Sequence, residues 1–223
     1  MNNSMCVVAV DDSHSKLTQL LAKLEYATGA AVRPTLSFAP EELQIVSDLP
    51  MNVVVDRILK ADAAIVDYNL KSEANVEYSG IQVINEVLRR HKHFPVFLLT
   101  SYKEDVFTKE IIDVCHVFDF DKYLNDNSYA ESMNRVLYEQ IQNHKREKDA
   151  WEDELKKLSS CTEPRSVAED ERMIELDTWI EQAMSGGASA LSQKTKRDLS
   201  ASKLDALIEK VDEVIASCCG GRE

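Results

Sequence analysis

The chain has 223 residues, 44% of them hydrophobic, with 26 Lys+Arg against 39 Asp+Glu and a formal charge of −13. The apolar fraction supplies a core and excludes wholesale disorder, and no apolar run approaches the roughly 18–20 residues that span a bilayer. So acidic a chain repels phosphate backbones and anionic lipid, which disfavours nucleic-acid or membrane binding through a broad basic face.

The length fits one large domain, or one standard domain with a smaller partner. Met1-Asn2-Asn3-Ser4 has no basic signal-peptide region. Five cysteines (6, 115, 161, 218, 219) are odd in number, with neither a CxxC pair nor zinc-finger spacing, and fit a reduced, cytoplasmic compartment.

In chain order, Cys6–Val10 reads as a strand, and Leu17, Leu20, Leu21 and Leu24 mark a helix. Val32–Phe38 is a weaker strand whose Pro34 suits an edge. Residues 41–60 have a mainly helical period, broken at Pro50. Ala63–Val66 predicts a strand, Ile81–Arg90 a helix, Pro95–Leu99 a strand, Phe107–Val114 a helix, and Val117–Tyr123 an extended segment. Strands apolar throughout, alternating with helices, predict a small doubly wound α/β domain over residues 1–125, with a parallel sheet covered on both faces.

Residues 126–223 carry no strand signal. Leu137, Ile141, His144, Lys148, Trp151, Leu155 and Leu158 are spaced 4-3-4-3-4-3, a heptad seam on one long helix that packs against another. After a break at Ser159–Pro164, Ser166-x-x-Glu169 fits a capping box. Met173, Leu176, Ile180 and Ala183 follow on a second helix that stops near Gly186-Gly187, and Leu204, Ile208, Val211 and Ile215 mark a third. The expectation is an all-α hairpin or bundle. Trp151 and Trp179 read as its packing anchors, Lys194, Lys196 and Arg197 as a solvated linker, and His91 and His93 as part of a solvated basic turn. His144 reads as a surface or seam histidine, with a phosphorelay histidine as the alternative.

In an open parallel sheet, ligands bind at the carboxyl ends of the strands. Here those ends hold Asp11-Asp12, then Asp67 followed by Tyr68-Asn69, then Thr100-Ser101, then Lys122. Three carboxylates at one edge call for a cation. An all-oxygen site suits Mg²⁺. A lysine and a threonine hydroxyl beside it would support phosphoryl transfer onto a carboxylate by positioning and charge neutralisation.

In these four pieces, residues 6–123 resemble the receiver domain of response regulators, the phosphoacceptor half of two-component signalling. The Thr100–Lys122 separation and the Gly80-initiated third helix are similar to the family's. The resemblance implies a flavodoxin-like sheet of order 2-1-3-4-5 and a phosphoacceptor at Asp67. It implies Mg²⁺ held by Asp12 directly, Asp11 through water, Asp67, and the Asn69 backbone carbonyl. Thr100 would respond to the phosphoryl group and Lys122 would pair with it. The implied partner is a histidine kinase or phosphotransfer protein, with output through dimerisation or an effector that binds the C-terminal helices. The implied chemistry is self-phosphotransfer and autodephosphorylation, without turnover of another substrate.

The sequence departs from the family in several places. The Asp67–Gly80 loop is longer and lacks proline, Tyr123 stands where a cis-proline is usual, and Asp119 holds the usual aromatic-switch position between Phe118 and Phe120. Two other readings stay open. One is a non-phosphorylated receiver-like scaffold. The other is an aspartyl-phosphate phosphatase, since Asp67-x-Asn69 is similar to haloacid-dehalogenase-type enzymes but lacks their second Asp and sits on strand three.

Overall fold

A computed structural model of the chain describes residues 4–29, 37–101, 117–160, 165–185 and 193–198. Strands β1 (Met5–Asp11), β2 (Phe38–Gln44), β3 (Ala63–Asp67), β4 (Val96–Thr100) and β5 (Val117–Asp119) form one parallel sheet in the order β2-β1-β3-β4-β5. Helices α1 (His14–Gly29), α2 (Met51–Ile58) and α3 (Gly80–Arg90) alternate with the strands. Helix α4 (Phe120–Asn125) follows β5, and α5 (Asn127–Ser160) and α6 (Val167–Ser185) make a helical arm. This is the flavodoxin-like receiver topology followed by helices, as the sequence predicts. The expected helices at Phe107–Val114 and Leu204–Ile215 lie outside the described residues, as does the stop at Gly186-Gly187.

Strands β1, β3 and β4 are apolar along most of their length because both faces are covered. Val8, Val10, Ala64, Val66, Val96 and Leu98 pack with Val54, Val55 and Ile58 of α2 and Val83, Ile84 and Val87 of α3. The alternate residues Val7, Ala9, Ala63, Ile65, Phe97 and Leu99 pack with Leu17, Leu20 and Leu24 of α1. Leu137 and Ile141, from the first half of α5, complete that second face. The heptad seam is therefore divided. Its first two members, Leu137 and Ile141, bury against the sheet domain, and Trp151 meets Trp179 of α6.

Two expected elements fall elsewhere. The second strand is Phe38–Gln44, not Val32–Phe38, and residues 41–44 are extended rather than helical. As the edge strand it pairs on one side only. It buries Phe38 and Leu43 while exposing Ala39, Glu41, Glu42 and Gln44, so its pattern is too polar to read as a strand. An edge also tolerates Pro40. At the other edge, β5 ends at Asp119 rather than running to Tyr123. The Asp119 carboxylate accepts the Lys122 N–H at 3.0 Å and caps α4, so the chain turns helical at Phe120. Tyr123 then buries fully and donates its hydroxyl to Asn134 Oδ1 at 2.7 Å, pinning α4 to α5.

The α5–α6 arm closes over the amino-terminal edge of the sheet. Lys145 of α5 pairs with Asp62 at 2.9 Å, and Asp62 in turn accepts the Cys6 N–H at 2.8 Å. Arg172 of α6 grips Glu154 of α5 through two contacts of 2.9 Å. The expected capping box forms, with Ser166 N donating to Glu169 Oε2 at 2.7 Å and Glu169 N to Ser166 Oγ at 3.3 Å. The expected solvated linker is docked in part, with Lys194 left exposed. Lys196 is buried against Asp177 and Glu181, and Arg197 pairs with Glu171.

His91 and His93 are likewise not solvated. The turn that carries them lies beneath the arm, and His91 is only 4% exposed. The rings of His91 and His144 lie 5.0 Å apart. His93 is 4.9 Å from both Trp151 and Trp179, which are 5.2 Å from each other. His144 is thus a seam histidine, and the two tryptophans are packing anchors. His91 Nε2, His93 Nε2 and His144 Nδ1 are buried without a hydrogen-bond partner. Burial, then the neighbouring His144, His93 and Lys148, holds His91 down at about 3. Burial, then His93 and Lys148, holds His144 at about 4.

Both values lie below the ordinary histidine value of about 6.5, so the unfolded chain takes up protons first as pH falls. The stability these histidines contribute is complete above that value and declines through pH 6.5 to 4. From pH 7 to pH 5 each costs about 2 kcal/mol by this linkage. Urea unfolding of His91→Phe and His144→Phe at the two pH values should show each variant losing about 2 kcal/mol less than the parent chain. Equal losses in parent and variants would contradict neutral burial.

Candidate functional site

Strand β1 delivers Asp11 and Asp12 to the carboxyl edge of the sheet, and its neighbour β3 delivers Asp67. All three are buried, and their carboxylate oxygens lie within 4.8 Å of one another. Thr100 is buried at the end of β4, the next strand over. Gly80 lets α3 start directly against β3. A Cβ there would stand 1.9 Å from the Asp67 carbonyl oxygen, so no other residue fits without moving the strand end. The Gly80 N–H donates to the Tyr68 carbonyl at 3.1 Å, which fixes the loop's return beside Asp67.

Burying three carboxylates together is costly unless each is compensated. Asp11 Oδ1 accepts the Ser13 N–H at 2.8 Å, and Asp67 Oδ2 accepts the Asn69 N–H at 3.1 Å. Lys16, in the first turn of α1, places its Nζ 3.5 Å from Asp67 Oδ2 and 3.7 Å from Asp11 Oδ2. Burial and then the nearby Asp67 still push Asp11 up to about 7. Burial also raises Asp67, with Lys16 acting against it.

Asp12 is compensated differently. The Ser72 hydroxyl donates to its two oxygens at 3.0 and 2.9 Å, and the Glu73 and Ala74 N–H groups donate to Oδ2. Burial opposes ionisation of Asp12, but these donors outweigh it and hold the group below the usual carboxylate value. The long Asp67–Gly80 loop is therefore folded over the site. It is anchored on its far side by Asn75 N to Ser47 Oγ at 3.3 Å and by Tyr78 Oη to the Leu49 carbonyl at 2.8 Å.

The sequence-predicted residues Asp11, Asp12, Asp67 and Thr100 thus stand at the carboxyl ends of β1, β3 and β4, and Asn69 follows Asp67 in the exposed loop. Lys122 does not stand at a strand end. The β5 residue opposite Thr100 is Asp119, and Lys122 lies in α4 with its side chain 64% exposed and its Nζ 3.9 Å from Asp119. The cause is the Asp119 cap, which converts the expected strand end into a helical turn. Lys16 and Ser72–Ala74 escape the sequence reading. Lys16 looks like any other lysine of an amphipathic helix, and backbone donors in a loop leave no mark in a sequence.

The donors fit a hard divalent cation such as Mg²⁺. All are oxygens, and Asp11 Oδ2 is buried without a hydrogen-bond partner. Asp11, Asp12 and Asp67 would hold the ion, with the Asn69 carbonyl alongside.

No family model and no curated protein matches the chain. In structure it is similar to a CheY-like response regulator receiver domain protein from Methanospirillum hungatei, at 14% identity over 63% of this chain and 99% of the other, with a TM-score of 0.45. It is similar to the response regulator TrrA from Thermotoga maritima in complex with Mg²⁺ and BeF, at 16% identity over 59% and 98%, with a TM-score of 0.43. It is also similar to the receiver domain of a sensor histidine kinase from Pseudomonas aeruginosa with magnesium in its active-site cleft, at 14% identity over 62% and 98%, with a TM-score of 0.42. These three neighbours are two receiver domains and a response regulator, and at these identities the likeness is one of fold alone.

Proposed function

We propose that the chain is a response regulator whose Asp67 accepts a phosphoryl group from a histidine kinase or phosphotransfer protein in a Mg²⁺-dependent reaction. The observation that carries this reading is the placement of Asp67 within 4.8 Å of two further buried carboxylates, with an ammonium 3.5 Å away. An Asp67 oxygen attacks phosphorus, and the bond from phosphorus to the donor nitrogen or oxygen breaks. The donor leaves with that electron pair, and an acyl phosphate remains on Asp67. Bound Mg²⁺ supplies charge neutralisation for the transferring group. Thr100, buried at the adjoining strand end, supplies a hydroxyl to a phosphoryl oxygen. Signal output goes through the helical arm, by pairing with a second copy or with an effector protein, in the cytoplasm.

A scaffold that is never phosphorylated is the second reading, and one observation favours it. The site is already partly compensated by its own chain, with Asp12 held by the loop and Lys16 paired with Asp11 and Asp67.

Intact-protein mass after incubation with Mg²⁺ and acetyl phosphate separates the two. The phosphoacceptor reading expects one added phosphoryl group, lost when EDTA is present from the start and absent in Asp67→Asn. No addition from acetyl phosphate, or from a phosphorylated phosphotransfer protein, leaves the scaffold.

Because the loop and the cation compete for Asp12, loosening the loop should tighten cation binding. Ser72→Ala removes one donor worth about 1 kcal/mol, so its Kd for Mg²⁺ should fall roughly fivefold. Calorimetric titration reads this directly, and an unchanged Kd would mean that the loop does not contest the site.

A further inference from the structure

We infer that Lys16 of α1, and not Lys122, is the lysine that pairs with the phosphoryl group on Asp67. This rests on the phosphoacceptor reading above and assigns a catalytic residue that the sequence places elsewhere.

The geometry argues for it from both ends of the sheet edge. Lys122 is turned away by its own surroundings. Its backbone N–H is fixed to Asp119 Oδ1 at 3.0 Å, its Nζ faces the same carboxylate at 3.9 Å, and its side chain is 64% exposed. The first residue of α4, Phe120, is buried, and its ring centroid lies 5.9 Å from Lys16 Nζ. On this side the pocket is thus walled by an aromatic ring, with the ammonium reaching it from α1. Among the described residues, the ion pair recorded for Asp67 is made by Lys16.

The same geometry gives Lys16 two stations. Before transfer, its Nζ bridges Asp67 Oδ2 and Asp11 Oδ2 and neutralises part of their repulsion. Transfer forms a bond from an Asp67 oxygen to phosphorus and breaks the bond from phosphorus to the donor. The carboxylate charge is then replaced by negative charge on the phosphoryl oxygens, one atom further out. A lysine head on a flexible four-carbon stem can follow that charge while remaining protonated. With a side chain 33% exposed, Lys16 has room to do so. As it moves outward, the amine leaves Asp11 Oδ2, an oxygen that would also help to hold a cation. Lys16 therefore opposes cation binding before transfer and supports the phosphoryl group after it.

The test compares the full chain with Lys16→Met, Lys16→Gln and Lys122→Met, each checked for folding by thermal unfolding. The first readout is the rate of phosphoryl incorporation from acetyl phosphate at saturating Mg²⁺, by intact mass. Both Lys16 variants should be slowed at least about tenfold, the loss typical for one charge-stabilising group, while Lys122→Met stays within about twofold. The second readout is the Mg²⁺ titration, in which the Lys16 variants should bind tighter and Lys122→Met should be unchanged. If the parent chain is labelled and the Lys16 variants are labelled equally fast, or if Lys122→Met is the slow one, the assignment to Lys16 is overturned and the phosphoacceptor reading stands. If the parent chain takes no phosphoryl group, both fall. Were Lys16→Met unfolded, Lys16→Gln, which keeps a polar hydrogen-bond donor on a shorter stem without the charge, decides the case.

Discussion

Three carboxylates buried within 4.8 Å of one another impose the constraint around which the carboxyl edge of this molecule is arranged. At an effective dielectric near 20, two charges 4 Å apart repel by about 4 kcal/mol. The fold meets that repulsion with positive or donor groups from three separate elements. The N–H groups of Ser13 and Asn69 come from the backbone beside the acids, Lys16 comes from α1, and Ser72–Ala74 come from the long loop before α3. Even so, burial raises Asp11 to about 7, so the compensation is incomplete where Asp11 Oδ2 has no hydrogen bond. A bound cation would relieve that residual deficit.

The opposite edge of the same sheet meets the reverse problem. There the buried polar groups are histidines, and they are kept neutral by burial rather than compensated by charge. His93 also has Lys92, Glu147 and Glu175 in its field, and His144 has Lys145 and Asp62, so ionic groups ring the aromatic cluster without entering it. Trp151 and Trp179 fill the space between α5, α6 and the turn before β4. The helical arm is thereby held to the sheet domain at the end remote from the acids. Helix α5 bridges the two ends, about 50 Å long at 1.5 Å per residue.

Much of this was legible in the residues, for identifiable reasons. Strands β1, β3 and β4 are covered on both faces, so their uninterrupted apolar runs announced a parallel sheet, and the acids at their ends announced a site. The edges were not legible. Strand β2 exposes most of its residues and mimics a helix in its Glu41-Glu42 stretch, and β5 stops early because one side chain, Asp119, caps a helix. The place of Lys122 follows from the same cap, since a spacing that fits an extended segment puts it at the strand end and the capped helix puts it in α4. The histidines were misread for a related reason. A basic turn looks solvated in isolation, and only the long-range return of the arm buries it.

Lys16 reaches the acidic edge from α1, and that helix has other contacts. Helix α1 packs Leu17, Leu20 and Leu24 into the same core as Leu137 and Ile141 of α5, and Lys23 donates to Asn127 at the start of α5 at 2.8 Å. It is therefore the element that touches both the acidic edge and the arm. Contiguity alone does not make a signal; an element with two arrangements is needed. The loop before α3 spends three donors on Asp12 and is anchored at its far side to Ser47 and Leu49, and it would have to yield Asp12 to a cation that takes that carboxylate. On the proposed reading, a charge arriving at Asp67 would act on both elements at once, drawing Lys16 outward and contesting the loop's hold on Asp12.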